Sequence, residues 1–392
     1  DYISAANLTI GSTTDSLSGA ISIGDLTQSS KNLTINSSTG NITVFTDEVE
    51  VTSGNLIFST GGTFDQQYGL LETVTSGNIS ITGSTLTLGN ITSVGNITTS
   101  GSGAVSLLPV GYNDITIDQT YVDSDLTDFP VLIKLTDGTG GLNLANTAAN
   151  GSDLRFFAQN GEHLAYEIER TWSNSPSATN WVWVKVPSIS GTVNTTFRMY
   201  HGNTGTVKDA RAATEVWDTN FKMVQHLEEA SGNATDSTTN NNFGSVVGAD
   251  YSTTGKIGNA YDFNGSTDYV KIDTGTALSM GGTQAMTLSA WVKSDVAGTD
   301  AIISKFNANV AGEYFLHLID SGAIMGHREV SPWNVTSAAG EVGSGTGNFH
   351  YITMAYDGTN LNVYEAGALV ATGAMGSMGT TTTAVLLGAE FA

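Results

Sequence analysis

Between residues 1 and 108 the chain restates one short phrase. It reads Asn7-Leu8-Thr9-Ile10, Ala20-Ile21-Ser22-Ile23, Asn32-Leu33-Thr34-Ile35, Asn41-Ile42-Thr43-Val44, Asn55-Leu56-Ile57-Phe58, Asn78-Ile79-Ser80-Ile81 and Thr85-Leu86-Thr87-Leu88. Aliphatic side chains hold alternate positions and Thr or Ser holds most of the others, the period of two of a half-buried strand, with Gly or Asn turns every few residues. Strands this short cannot bury a core alone. Stacked as the rungs of a β-solenoid, each covers the apolar edge of the one before. A sandwich of short strands is the alternative, because the spacing is irregular and Phe64 to Leu71 interrupts the phrase.

Around Leu107-Leu108-Pro109-Val110-Gly111 the repeats stop and longer alternating runs begin. Tyr112–Gln119, Val131–Leu135, Leu154–Phe157, Leu164–Arg170, Trp181–Val186 and Thr196–Tyr200 follow at sandwich-like spacing. In the fifth run Val182, Val184 and Val186 share one face and Trp181 and Trp183 the other, which we assign to core packing. Thr206–Thr214 is the only stretch of good helix formers and reads as a short helical linker. The expected chain is all-β, with domains at 1–108, 109–213 and 214–392: a β-solenoid, then two antiparallel β-sandwiches.

Composition narrows the possible partners. A formal charge of −23 repels nucleic acid and anionic membrane and attracts divalent cations. With no cysteine, neither a disulfide framework nor a thiolate metal site can form, and no apolar run is long enough to span a membrane.

The last domain carries the most specific signal. Gly258, Ala260, Phe263, Gly265, Asp268, Tyr269 and Val270 are followed by Thr287-Leu288-Ser289-Ala290-Trp291-Val292-Lys293, then by Phe349–Gly358 and Leu361–Tyr364. This order resembles the laminin-G-like, concanavalin-like jelly-roll family, which implies a two-sheet sandwich that binds glycans or partner proteins. The resemblance also implies a closing strand beyond Val385–Ala392, so we expect an open strand edge near residues 380–392, filled by strand addition from another copy. Asp153-Leu154-Arg155-Phe156, Tyr166–Glu169, Trp181–Pro187 and Tyr200–Asn203 resemble an uncharacterised β-sandwich family of microbial surface proteins. The N-terminal repeats are similar to those of filamentous-haemagglutinin-type adhesins.

Three groups of residues are candidate sites. Asp218, Asp236 and Asp262 are proposed calcium ligands, since calcium prefers several oxygen donors from loops, while Asp268 is assigned to capping its own turn. Trp333, with His327 and Arg328 beside it, could stack on a sugar ring. Asn7, Asn32, Asn36, Asn41, Asn78, Asn90 and Asn96 head Asn-x-Ser/Thr triplets and are candidate N-glycosylation sites, although a turn Asn before an alternating strand gives the same triplet for structural reasons. The six histidines are scattered, without metal-ligand spacing, and no nucleophile elbow or phosphate-binding loop is present. Arg155, Glu167 and Glu169 are assigned to a structural ion pair.

These readings converge on a non-enzymatic extracellular protein of the cell surface, a subunit of a filament, surface layer or adhesin. Its expected partners are other copies of itself, by strand addition or lateral packing, and surface glycans. The alternative is the carbohydrate-binding region of a secreted polysaccharide-active enzyme.

Overall fold

A computed structural model describes, within residues 8–107, the strands and a few flanking positions; from 111 to 390 it describes all but 161, 170, 203–210, 274, 296–297, 308–310, 320 and 343–346. Two compact units emerge, Asp1–Val216 and Trp217–Ala392.

The N-terminal strands are dealt in strict rotation to three parallel sheets. Leu8–Ile10, Leu33–Ser37, Leu56–Thr60, Ile79–Thr82 and Ile97–Ser100 form the first, and Ile21–Ile23, Ile42–Val44, Phe64–Gln66, Leu86–Leu88 and Val105–Leu107 the second. Leu26–Gln28, Glu48–Ser53, Leu70–Ser76 and Asn90–Ser93 form the third. This is a three-sided β-solenoid, and the short-strand sandwich is excluded. Equivalent positions of the phrase stack in register: Leu33, Leu56 and Ile79 form one fully buried column, and Ile35, Phe58 and Ile81 another. The apparent interruption is itself a rung, for Phe64 stacks between Ile42 and Leu86 and packs against Phe58 with ring centroids 4.9 Å apart.

One described corner shows what a turn asparagine does. The Asn78 backbone and side-chain amides both donate to Asn55 Oδ1, at 2.9 and 3.2 Å, so this Asn locks one turn onto the next. Asn78 is exposed and Asn36 half-buried; Asn90 begins a strand, with its side chain outside the described residues, as are Asn7, Asn32, Asn41 and Asn96 entirely.

The second half of this unit is a two-sheet sandwich. Gly111–Ile117, Thr195–His201, Arg155–Ala158 and His163–Leu164 lie side by side in one sheet, and Leu126–Thr136, Thr179–Ile189 and Tyr166–Ile168 in the other. Val182, Val184 and Val186 face the core, where the two tryptophans were expected. Trp181 and Trp183 do not. They lie half-buried on the opposite face, Trp181 under the Lys134 ammonium at 5.5 Å and Trp183 donating its indole N–H to Glu169. Arg155 belongs to one sheet and Glu167 to the other, and Arg155 donates to the Ser152 and Leu154 carbonyls. Most of the expected helical stretch 206–214 lies outside the described residues; a helix at Ala213–Val216 packs on the Tyr166–Ile168 and Thr179–Ile189 strands.

The C-terminal unit is a jelly roll. Its larger sheet runs Ser245–Val247, Tyr269–Ile272, Val385–Leu387, Asp300–Asn307, Ala311–Ile319, Ala323–Arg328, Asn334–Thr336. The smaller runs Met286–Lys293, Phe349–Tyr356, Asn360–Glu365, Ala368–Ala374. Between them Val270, Ile272, Leu316, Ile324, Ile352, Met354, Leu361 and Val363 are fully buried, each contributing about 1.5–3 kcal/mol as an upper estimate. Val385–Leu387 pairs with Tyr269–Ile272 on one side and Asp300–Asn307 on the other. The expected vacant edge at this segment is therefore corrected: the strand is internal, and its backbone groups are satisfied by its own chain.

One end of this core is ionic. A bulge pairs Lys305 with Tyr314 and Phe306 with Gly312, leaving Glu313 as the extra residue. Its carboxylate accepts from Ser279 Oγ at 2.6 Å, Thr381 N at 2.7 Å and Met280 N at 2.8 Å, and lies 3.8 Å from Lys305 Nζ. Lys305 also donates to the Gly275 and Thr383 carbonyls, so the network ties two loops to the sheet. Burial pushes the Lys305 ammonium below the usual lysine range, and Glu313 opposes that shift.

Candidate functional site

Of Trp333, His327 and Arg328, only the tryptophan is accessible. Neighbours on a strand face opposite ways. Arg328 is 0% exposed on the inner face, its guanidinium 3.7 Å from the Tyr356 ring centroid and bonded to the Gly282 carbonyl at 2.9 Å. It cannot meet a surface ligand together with His327, which corrects the grouping of the three. On the outer face His327 stacks on Phe315 at 4.1 Å, with Nδ1 2.6 Å from Asn334 Oδ1 and Nε2 2.9 Å from Glu329 Oε2. Trp333 lies nearly parallel to His327 at 6.4 Å and remains 47% exposed. Its φ of 73° is a left-handed conformation that costs a bulky residue of order 1–3 kcal/mol, held by Trp333 N–H donating to the Val330 carbonyl and Arg328 N–H donating to the Trp333 carbonyl.

The three calcium candidates are not brought together. Among the described residues no three His, Asp or Glu side chains are grouped to hold a metal. Asp236 is buried and accepts four hydrogen bonds, from Val224 N and Thr238 N to Oδ1 and from Thr238 Oγ1 and Asn242 N to Oδ2. It organises the strand-poor 217–244 segment, holding Met223–Leu227 through Val224 N. Asp218 bonds Asn220, and Asp262 is exposed on a hairpin strand. Asp268 caps its turn as expected, accepting from Asn264 N at 3.0 Å. Asp236→Ala should cost about 2 kcal/mol by stranding buried donors, measured as a shift in the denaturant midpoint of the C-terminal unit.

Sequence reasoning missed a second aromatic surface. On Met286–Lys293, Met286 and Val292 turn inward, and Thr287, Ser289, Trp291 and Lys293 face out. Register pairs Trp291 with Tyr351 and Lys293 with Phe349, so these aromatic rings share the outer face of the smaller sheet. Trp291 is 41% and Tyr351 36% exposed, with ring centroids 5.2 Å apart. The Gly255–Gly258 turn of the hairpin Asp250–Thr254/Asn259–Asp262 brings Lys256 Nζ to 4.9 Å from the Trp291 ring. Asn362 and Thr372, hydrogen-bonded at 2.6 Å, extend the face toward the far edge strand. The outward positions of the paired strands Met286–Lys293 and Phe349–Tyr356 include no carboxylate. The alternation of Met286–Lys293 already separated Trp291 from the core. What no local pattern revealed was its partner sixty positions on.

Two family models match this chain. Residues 263–392 match the concanavalin A-like lectin/glucanases superfamily, and residues 150–242 match a domain of unknown function, DUF2341. The chain thus carries a concanavalin A-like domain toward its C-terminus and a DUF2341 domain before it. No curated protein matches the chain. Among solved structures, polysaccharide lyase family 18 aly-SJ02 r-CATD is similar at 11% identity over 32% of this chain, with a TM-score of 0.21; the chain spans 61% of that structure.

Proposed function

We propose that this is a non-enzymatic, extracellular cell-surface protein whose jelly roll holds glycans, serving in an adhesin, surface layer or filament. The observation that supports this best is the outer face of the smaller sheet, where Trp291 and Tyr351 lie exposed and adjacent among hydroxyl and amide side chains. Aromatic rings take the apolar faces of sugars, and neighbouring Ser, Thr and Asn side chains can exchange hydrogen bonds with ring hydroxyls. A rigid sheet holds both without ordering cost. The lectin and glucanase superfamily match over residues 263–392 agrees with this reading. The test is a glycan array probed with the whole chain, and with Trp291→Ala and Tyr351→Ala. Trp291→Ala is expected to lose roughly tenfold in affinity for the glycans retained by the parent, the effect of removing a central aromatic anchor. Retention of the same glycans at unchanged affinity would move the site to Trp333; no retained glycan at all would end the reading.

A further inference from the structure

The glycan reading leaves open what kind of sugar the face selects, and Lys256 bears on that. The chain carries 37 acidic residues against 14 basic ones, yet the strand pair holding Trp291 and Tyr351 presents no carboxylate outward. Lys293, on the same face, is paired with Asp295 at 3.4 Å. Lys256 differs: among the described residues its interaction is with the Trp291 ring, and no carboxylate lies within ion-pair distance. Its position is built. Gly255 N–H donates to the Gly258 carbonyl at 3.1 Å, Gly258 has a φ of 61°, and a Cβ on Gly255 would fall 2.3 Å from the Asn259 carbonyl oxygen. The turn therefore requires glycine at both ends, and it fixes an uncompensated ammonium beside two exposed aromatic rings.

Resting on the glycan reading above, we infer that the face takes an anionic sugar chain, one ring lying against Tyr351 and the exposed part of Trp291 and its acidic group meeting the Lys256 ammonium. A neutral glycan offers that ammonium only hydroxyl and ring oxygens as acceptors. An acidic group gains a charge-assisted hydrogen bond at an anchored position, where a freely moving lysine would lose side-chain entropy on binding. Carboxylated and sulfated sugars share this chemistry.

The experiment is a titration of the whole chain with oligogalacturonate and with the same oligosaccharide fully methyl-esterified, beside dextran sulfate and dextran. Lys256→Met and Lys256→Arg are carried in parallel; residue 256 is exposed on a turn, and both variants keep the flanking glycines. The expected result is a preference of roughly tenfold for a charged chain over its neutral counterpart, reduced about threefold or more by Lys256→Met and restored by Lys256→Arg. Whichever charged probe shows the preference names carboxylate or sulfate as the group read. Equal affinity for charged and neutral forms, or a preference untouched by Lys256→Met, would overturn the inference and leave glycan contact standing. No binding to any of the four would overturn the inference, while the glycan reading itself rests on the array. Self-association that disappears in Lys256→Met, with no sugar bound, would give the face to a second copy of the chain.

Discussion

Glu313→Gln is expected to destabilise the C-terminal unit by about 3–5 kcal/mol, the range for removing one partner of a buried ion pair. Two costs combine. The carboxylate now accepts from Ser279 Oγ, Thr381 N and Met280 N, all donors, and a glutamine must turn an NH₂ toward one of them. Lys305, 1% exposed, would also lose its counter-charge in the same core end that holds Arg328. Differential scanning calorimetry should show the transition of this unit falling by roughly ten degrees. A fall below about 1 kcal/mol would mean the carboxylate carries little of the local structure. Adding Lys305→Met to Glu313→Gln should recover the part of the loss due to the unpaired ammonium, while the part due to the mismatched donors around residue 313 remains.

His317→Phe is expected to remove about 3 kcal/mol of acid sensitivity. His317 is buried against Phe315, with ring centroids 4.1 Å apart, and its Nε2 has no hydrogen-bond partner among the described residues. Burial first, and the nearby His327 second, push its pKa down to about 4. In the unfolded chain the imidazole titrates near 6.5. Between those values the unfolded state binds a proton that the folded state refuses, so stability falls as the pH drops through 6.5 and stops falling on this account near 4. The carboxylates titrate in both proteins, so the informative quantity is the difference between the two stability profiles from pH 7 to 4. That difference should grow steadily across the window in favour of the phenylalanine variant. Parallel profiles would show that His317 takes up its proton in the folded protein without penalty.

Much of the architecture was legible because it rests on a period of two. The Leu-Thr-Ile phrase carries the solenoid rungs, and the alternation along Met286–Lys293 puts Thr287, Ser289, Trp291 and Lys293 on one strand face, which the structure turns outward. What sequence could not supply was register between distant segments. Phe64 looks like a break until parallel pairing places it between Ile42 and Leu86. Trp291 gains Tyr351 only through antiparallel pairing, and Lys256 only because a separate hairpin reaches the sheet. The grouping of His327 with Arg328 failed for a reason already present in the sequence, since adjacent strand residues point to opposite faces. Asp236 was singled out as an oxygen donor, and the structure spends both oxygens on loop amides and one hydroxyl, a pattern that spacing alone does not distinguish from a ligand set.

The internal position of Val385–Leu387 has a kinetic corollary. Tyr269–Ile272 and Asp300–Asn307 lie on either side of it, so neither gains its inner neighbour until that late segment has been synthesised and has returned between them. Closure of long loops is paid before such contacts give anything back, which slows folding and leaves apolar strands unsheltered on the emerging polypeptide. The larger sheet therefore stays unfinished until Val385–Leu387 has left the ribosome, and closure of the jelly roll is a late event of its folding.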